Sequence, residues 1–351
     1  MKTVFRALLT IGVLTTLLSG LGLAESKPKV IRIGCTGSNR PIPGNTFGIL
    51  NQLGMLEAEF KKDNIKIEWN VFKGAGPASN EALANGAVDF VTFGDLPSII
   101  GRAQGKIKFL AVHETRRAAY TIVQPDSKAK TIADLKGKKW GVSYGTAGHL
   151  YWSKLVDRAG LKEKDFKAVN FSGGDGKAAF LAKEIDALNV GTDVYDYISL
   201  GQAKVIYGTD QAPDLKGTAG LVVTEQFAKK YPEITYRFVK TYVRAAKLGS
   251  DPKNRAKTLT LWSNTGTSLS SLKKEYNKVP LALILDPVPD EYVISHLRDG
   301  IKFSKEKRII RKDFDLNQWI DTSYLNRALK ELKLEKYWPA SDVNGTPTAR
   351  R

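Results

Sequence analysis

The stretch from Cys35 to Asn45, CTGSNRPIPGN, gathers hydrogen-bonding and charged side chains on a backbone fixed by glycine and proline. Thr36, Ser38 and Asn39 bring hydroxyl and amide groups, and Arg40 brings a planar guanidinium fork suited to an oxyanion. A helix start beside them would add backbone N–H groups and the positive end of a helix dipole. An ordinary helix-capping loop would use the same residues. A second stretch, SYGTAGH from Ser143 to His149, has the same character. Thr146 stands where it would cap a helix opening near Ala147, with Gly145 beside it. Tyr144 is placed to stack on a ligand or to cover a hinge, and His149 falls in the first helical turn as a ligand contact or a structural residue.

Other candidates lie between these two loops and beyond them. Gly74-Ala75-Gly76-Pro77 allows close approach of the backbone to a ligand, but the residues that follow fit neither a phosphate loop nor a dinucleotide fingerprint. GGDGK at 173–177 lacks the glycine spacing and the Ser or Thr after lysine that a phosphate loop needs, so it reads as a helix-initiating loop. Gly94-Asp95 and Gly191-Thr192 end equivalent strands and should line one cleft. Arg116 and Arg117 are the charged hinge candidates, one of them reading as a surface residue. No nucleophile, general base and orienting acid assemble from spacing. Cys35 is the sole cysteine, so no intramolecular disulfide forms, and His113, His149 and His296 lack metal-ligand spacing; neither a metal nor another cofactor is expected.

The elements that must position these residues alternate along the chain. Val30 to Gly34 is an apolar run stopped by glycine, and Ile65, Ile67, Trp69 and Val71 alternate with polar residues at the period of a half-buried strand. Ala78 to Ala84 reads as a helix; Phe90 to Phe93 and Ile107 to Val112 read as strands. This rhythm predicts an α/β fold of mostly parallel sheets flanked by helices, with ligands at the carboxyl ends of the strands. The plan repeats: Val88-Asp89 followed by Gly94 has the spacing of Ile185-Asp186 followed by Gly191. Ile33 to Ser38 likewise matches Val142 to Ala147. Two lobes follow, joined by two crossing segments, Ala118 to Val123 and Gly217 to Val223. The division is 25–117 with 223–340 for the first lobe and 118–222 for the second. Helices over 232–248, 292–301 and 322–334 should pack on the first lobe, and the polar tail 341–351 should be disordered.

Residues 1–24 have the plan of a cleaved secretory signal: Lys2 and Arg6, an apolar run from Ala7 to Leu18, then Gly22 and Ala24 before the cut. No cysteine follows to carry a lipid, which implies a free periplasmic protein. The formal charge of +18 is spread along the chain with no arginine-rich tract or RNA-binding aromatic motif, which disfavours nucleic acid. A monomer is expected.

Taken in order, several segments resemble the aliphatic sulfonate, taurine and nitrate-type substrate-binding proteins of ABC importers. They are IRIG at 31–34, GPASNEALANGAVDFVTFGDLPS at 76–98, IADLKGKKWGV at 132–142, YGTAGH at 144–149 and LNQWIDTSYLNRAL at 316–329. The resemblance runs from about Val30 to Leu334. It implies a periplasmic-binding-protein fold of type II topology that delivers a small anion to an inner-membrane permease and its ATPase. Sulfonate binders of this kind carry a tryptophan-rich segment after the strand at Ala187, whereas this chain reads LNVGTDVYDY with Gly191 at an aromatic position. That departure implies a wider pocket and a bulkier or aromatic sulfonate. SNRPIPGN at 38–45 is similar to the nucleophile loop of 2′-hydroxybiphenyl-2-sulfinate desulfinases, with Arg40 where those enzymes have cysteine. The resemblance therefore points to recognition of a sulfonate or sulfinate rather than desulfination, with Ser38, Asn39, Arg40, Gly76, Gly94, Asp95, Arg117, Tyr144, Gly145, Thr146, His149, Gly191 and Thr192 as the ligand-binding set. The alternatives are a desulfinase-like enzyme using Cys35 and His149, or a binder of nitrate, bicarbonate, an aromatic carboxylate or a pyrimidine thiamine precursor.

Overall fold

The computed structural model describes residues 27–36, 40–172 and 174–350. The signal segment 1–24, together with Ser38 and Asn39, lies outside the described residues. Among the described residues, twelve strands run in chain order: β1 (Val30–Thr36), β2 (Lys66–Phe72), β3 (Phe90–Gly94), β4 (Ile107–Arg117), β5 (Tyr120–Val123), β6 (Lys139–Val142), β7 (Lys167–Asn170), β8 (Ala187–Val190), β9 (Lys204–Gly208), β10 (Gly217–Thr224), β11 (Ala340–Ser341) and β12 (Pro347–Thr348).

Two five-stranded sheets carry the two lobes, ordered β2-β1-β3-β10-β4 and β7-β6-β8-β5-β9. Within each, the first three strands are parallel, and the strand that arrives from the other lobe, β10 or β5, runs antiparallel to both its neighbours. The duplicated plan read from the sequence is thus present as one strand order used twice. The repeated aspartate has a structural reason. Asp89 accepts a hydrogen bond from the backbone N–H of Arg32 at 2.8 Å, and Asp186 accepts one from that of Lys139 at 2.8 Å. Each carboxylate fastens the start of its central strand to the neighbour and fixes their register.

The first lobe holds the larger core. The helix Pro232–Ser250 lays Phe238, Val239 and Tyr242 against the sheet, and Phe238 stacks on Phe90 with centroids 3.9 Å apart. The helices Glu291–Glu306 and Ser323–Leu332 pack on the same lobe. Trp140, Trp152 and Phe166 centre the core of the second lobe.

Two sequence expectations need correction. All of β10 belongs to the first sheet, paired with β3 and β4, so the second lobe ends before Gly217 rather than at 222. The apolar GLVV run fits between two buried strands of the first lobe and fills that place. The tail is ordered over its described residues: β11 pairs β12 around a turn in which Asp342 accepts from the N–H groups of Asn344 and Thr346, each at 2.9 Å. Polar composition there serves a hydrogen-bonded hairpin rather than a solvated chain.

Candidate functional site

The carboxyl ends of the parallel strands of both sheets face a cleft of about 640 Å³ between the lobes. Each wall is built from strand ends that run into helix starts, where backbone N–H groups lack intrahelical partners. The first lobe contributes Gly74 to Ala78, opening the helix Ala75–Ala84, and Phe93 to Asp95, opening the helix Asp95–Gln104. The second contributes Ser143, Tyr144 and Thr146 to Gly148, opening the helix Ala147–Arg158, then Asn170 to Ser172, Gly174 and Lys177 at the helix Asp175–Leu181. Asn189 to Gly191, Arg117 to Ala119, Leu215 and Gly217 complete the lining near the crossings.

The lobes touch across this cleft. A methyl group on Gly94 would stand 2.6 Å from Cβ of Ala147, and one on Gly76 would stand 3.2 Å from the carbonyl oxygen of Gly145. Glycine at 94 is what allows the two walls to meet there, whereas at 76 the nearest atoms are those of Pro97 in the same lobe, 2.5 Å away. Gly191 differs: a side chain there would meet only the carbonyl oxygen of Ala118, at 4.0 Å, so that part of the wall is open.

Arg117 occupies the back of the cleft. Its Nη2 lies 3.1 Å from where a Cβ on Gly94 would be and 3.2 Å from where one on Gly217 would be. Its Nη1 is 3.9 Å from Oε2 of buried Glu114. Arg116, its neighbour, turns away to the C-terminal hairpin, where it donates to Ser341 and to the carbonyl of Gly345. Thr146 sits at the N-cap position but turns its hydroxyl to donate to the carbonyl of Ser143 at 2.7 Å. The N–H groups of Ala147 and Gly148 therefore open the helix at the cleft wall with no capping side chain.

Asp95 is fully buried. It accepts from its neighbour's backbone N–H at Leu96 and sits 3.0 Å from Nε2 of His296, with the N–H of Thr218 at 3.4 Å. Burial alone would raise its pKa, but the His296 bond, the nearby positive charge of Arg117 and the Leu96 N–H outweigh that and hold the carboxyl below its ordinary value. Glu114 shows the opposite balance: burial raises its pKa despite Arg117 and Asn45.

Of the residues singled out by sequence, Gly76, Gly94, Asp95, Arg117, Tyr144, Thr146 and Gly191 line the cleft. Gly145 touches the opposite wall, while Thr192 lies just behind Gly191 and outside the lining. His149 is buried against Tyr144 and Trp152, with Nδ1 accepting the N–H of Gly145 at 3.3 Å, so it organises its own loop. Arg40 is exposed and stands outside the lining. Sequence reasoning missed His296, Lys154 and Phe171, all of which line the cleft. His296 lies on a helix read only as packing, 201 positions from Asp95, and no local spacing joins the two. Lys154 is about two turns into the helix that SYGTAGH opens and pairs with Asp299 of the other lobe.

Cys35 stands outside the cleft lining. Cys35 is buried at the end of β1 and donates weakly to the carbonyl of Asn70, and burial pushes its thiol up to about 12. Among the described residues, no cluster of three His, Cys, Asp or Glu side chains is arranged to hold a metal ion, and no helix is long and apolar enough to cross a membrane.

Comparison with known proteins fits this geometry. Residues 71–230 match the sequence family described as ABC transporter, phosphonate, periplasmic substrate-binding protein. The chain is 32% identical over 191 residues to a protein of Escherichia coli (strain K12) named for binding aliphatic sulfonates; the match spans 53% of this chain and 57% of that protein. A solved structure from Methylobacillus flagellatus KT, described as the periplasmic sulfonate-binding protein of a sulfonate ABC transporter, is similar at 30% identity with a TM-score of 0.75, covering 89% of this chain and 97% of that one. The desulfurization enzyme DSZB shares the fold at 18% identity and a TM-score of 0.64, covering 86% of this chain and 99% of that one.

Proposed function

Because the chain belongs to the sulfonate-binding family of periplasmic ABC-importer proteins, we propose that it captures an organosulfur monoanion, a sulfonate or sulfinate, between its lobes and hands it to a membrane permease driven by an ATPase. The observation that carries this reading is Arg117, a half-exposed guanidinium at the back of a cleft whose opposite wall is the open start of the helix Ala147–Arg158. A fork and two backbone N–H groups suit a tetrahedral oxyanion, and closure of the lobes would strengthen those bonds by excluding water.

Charge and volume narrow the ligand. Arg117 is flanked by Glu114 and Asp95, which favours a single negative charge over the double charge of a phosphonate. A cleft of about 640 Å³ with Phe93, Pro97, Phe171 and Leu215 in its walls suits an organic group rather than nitrate or bicarbonate. The open wall at Gly191 favours a bulky or aromatic substituent. Capture rather than chemistry is supported by the protonated, buried state of Cys35 and by the turn of His149 into its own loop. Export by the signal segment 1–24 would place the protein in the periplasm.

A thermal-shift series tests this. Alkanesulfonates and arylsulfonates are expected to raise the melting temperature in a dose-dependent way, by several degrees at a hundredfold excess over Kd. Nitrate, bicarbonate, phosphonates and a neutral pyrimidine should leave it in place. A shift with carboxylates or pyrimidines and none with sulfonates would overturn the ligand class.

A further inference from the structure

We propose that the C-terminal hairpin formed by β11 and β12 is a clasp that sets Arg117 in the cleft by holding Arg116. The argument begins in β4. Between the pairs Glu114–Ala219 and Arg117–Gly217, β4 carries two residues where β10 carries one, the count of a β-bulge. Within that bulge Arg116 has φ +58°, a left-handed conformation that side chains other than glycine rarely adopt. Such a residue keeps its conformation only where its surroundings fix it.

What fixes it is the tail, together with Leu283 and Tyr292. Arg116 donates from Nη2 to Oγ of Ser341 at 2.6 Å and to the carbonyl of Gly345 at 3.0 Å, and from Nη1 to the carbonyl of Leu283 at 3.1 Å. Its guanidinium also lies over the ring of Tyr292 at 4.8 Å. The hairpin is itself anchored on both sides: Trp338 donates to Ser250 at 2.8 Å, and Arg350 pairs with buried Asp286 and donates to the carbonyl of Trp338. The bulge is where β4 changes from a regular strand into the crossing, and it decides which way the next side chain is aimed. With Arg116 drawn out to the hairpin, Arg117 projects the other way, between Gly94 and Gly217, into the cleft. Arg116 is a positioning residue; it is not itself among the residues that line the cleft.

For affinity the inference rests on the sulfonate reading above, so its test has one arm with ligand and one without. Hexanesulfonate is titrated into the wild type, Arg116→Ala, Asp342→Ala (which removes the hairpin's turn acceptor), Arg117→Ala and the Arg116→Ala/Arg117→Ala double variant. Arg116→Ala and Asp342→Ala are each expected to weaken binding about tenfold, and Arg116→Ala to add nothing once Arg117 is gone, a non-additivity that a general loss of stability would not produce. Additive effects, or unchanged affinity in both single variants, would overturn the clasp. The second arm needs no ligand: the Nε–Hε NMR signal of Arg117, identified by its loss in Arg117→Ala, should shift and broaden in Arg116→Ala and in Asp342→Ala. If that signal stays in place the clasp is wrong, whatever binds. If neither hexanesulfonate nor benzenesulfonate binds the wild type, the sulfonate reading falls and the NMR arm alone decides the clasp.

Discussion

Replacing Arg117 with alanine is expected to weaken sulfonate binding at least about a hundredfold, roughly 3 kcal/mol, while leaving the fold intact. Two effects combine. The variant removes the fork that would hold the anion, and it leaves Glu114 and Asp95, both buried beside the cleft, without their shared positive neighbour. A ligand anion would then meet carboxylates across a low-dielectric gap. The control is Arg40→Ala, at an exposed residue outside the lining, where affinity should stay within about twofold. Titration calorimetry on the two variants separates the cases: a large loss at Arg40 with none at Arg117 would move the anion site to the loop after β1.

The second large effect is acid instability set by His113. This ring is buried in the first lobe with Nδ1 3.2 Å from the hydroxyl of Tyr242, which itself donates to the carbonyl of Val112 at 2.9 Å. Since the tyrosine proton is already given to Val112, the imidazole must be the donor at Nδ1, and it is neutral. Burial, with Arg117 adding to it, lowers the histidine pKa to about 3 from 6.5. A folded-state value below the unfolded one means that the stabilisation is complete above the unfolded pKa and is lost as pH falls toward the folded one. From pH 6.5 to 4.5 the contribution of His113 alone falls by about 2 kcal/mol. Urea unfolding at both pH values should show that loss in the wild type and a smaller one in His113→Gln, which keeps a donor for Tyr242. An identical pH dependence in the two proteins would assign the acid sensitivity elsewhere.

Local patterning made the sheets readable. Strand ends stopped by glycine, and the Asp-to-Gly spacing at 89–94 and 186–191, mark the two central strands. The aspartates work through short-range backbone bonds to Arg32 and Lys139, and such local chemistry leaves a repeatable trace. The loops that form the walls were legible for the same reason, since they follow those strands. Pairings made by the closed fold left no such trace. His296 meets Asp95 only because the helix Glu291–Glu306 packs on the helix Asp95–Gln104. The lobe boundary after Gly208 was misplaced because β10 is equally apolar whichever sheet receives it. The tail read as disordered because the partner that holds Ser341 and Gly345, Arg116, lies more than 200 positions away. Arg40 drew attention by residue type and loop position, neither of which reports the direction of a side chain.

The proposed ligand is one organosulfur anion between the lobes, held by Arg117 and by the start of the helix Ala147–Arg158. A crystal structure of the protein from residue 25 onward, grown with benzenesulfonate, tests it most directly. Sulfonate oxygens are expected within hydrogen-bonding distance of the Arg117 guanidinium and the N–H groups of Ala147 and Gly148, with the ring directed toward Gly191. A sulfonate bound outside the cleft, or a cleft left without it at saturating concentration, would contradict the account.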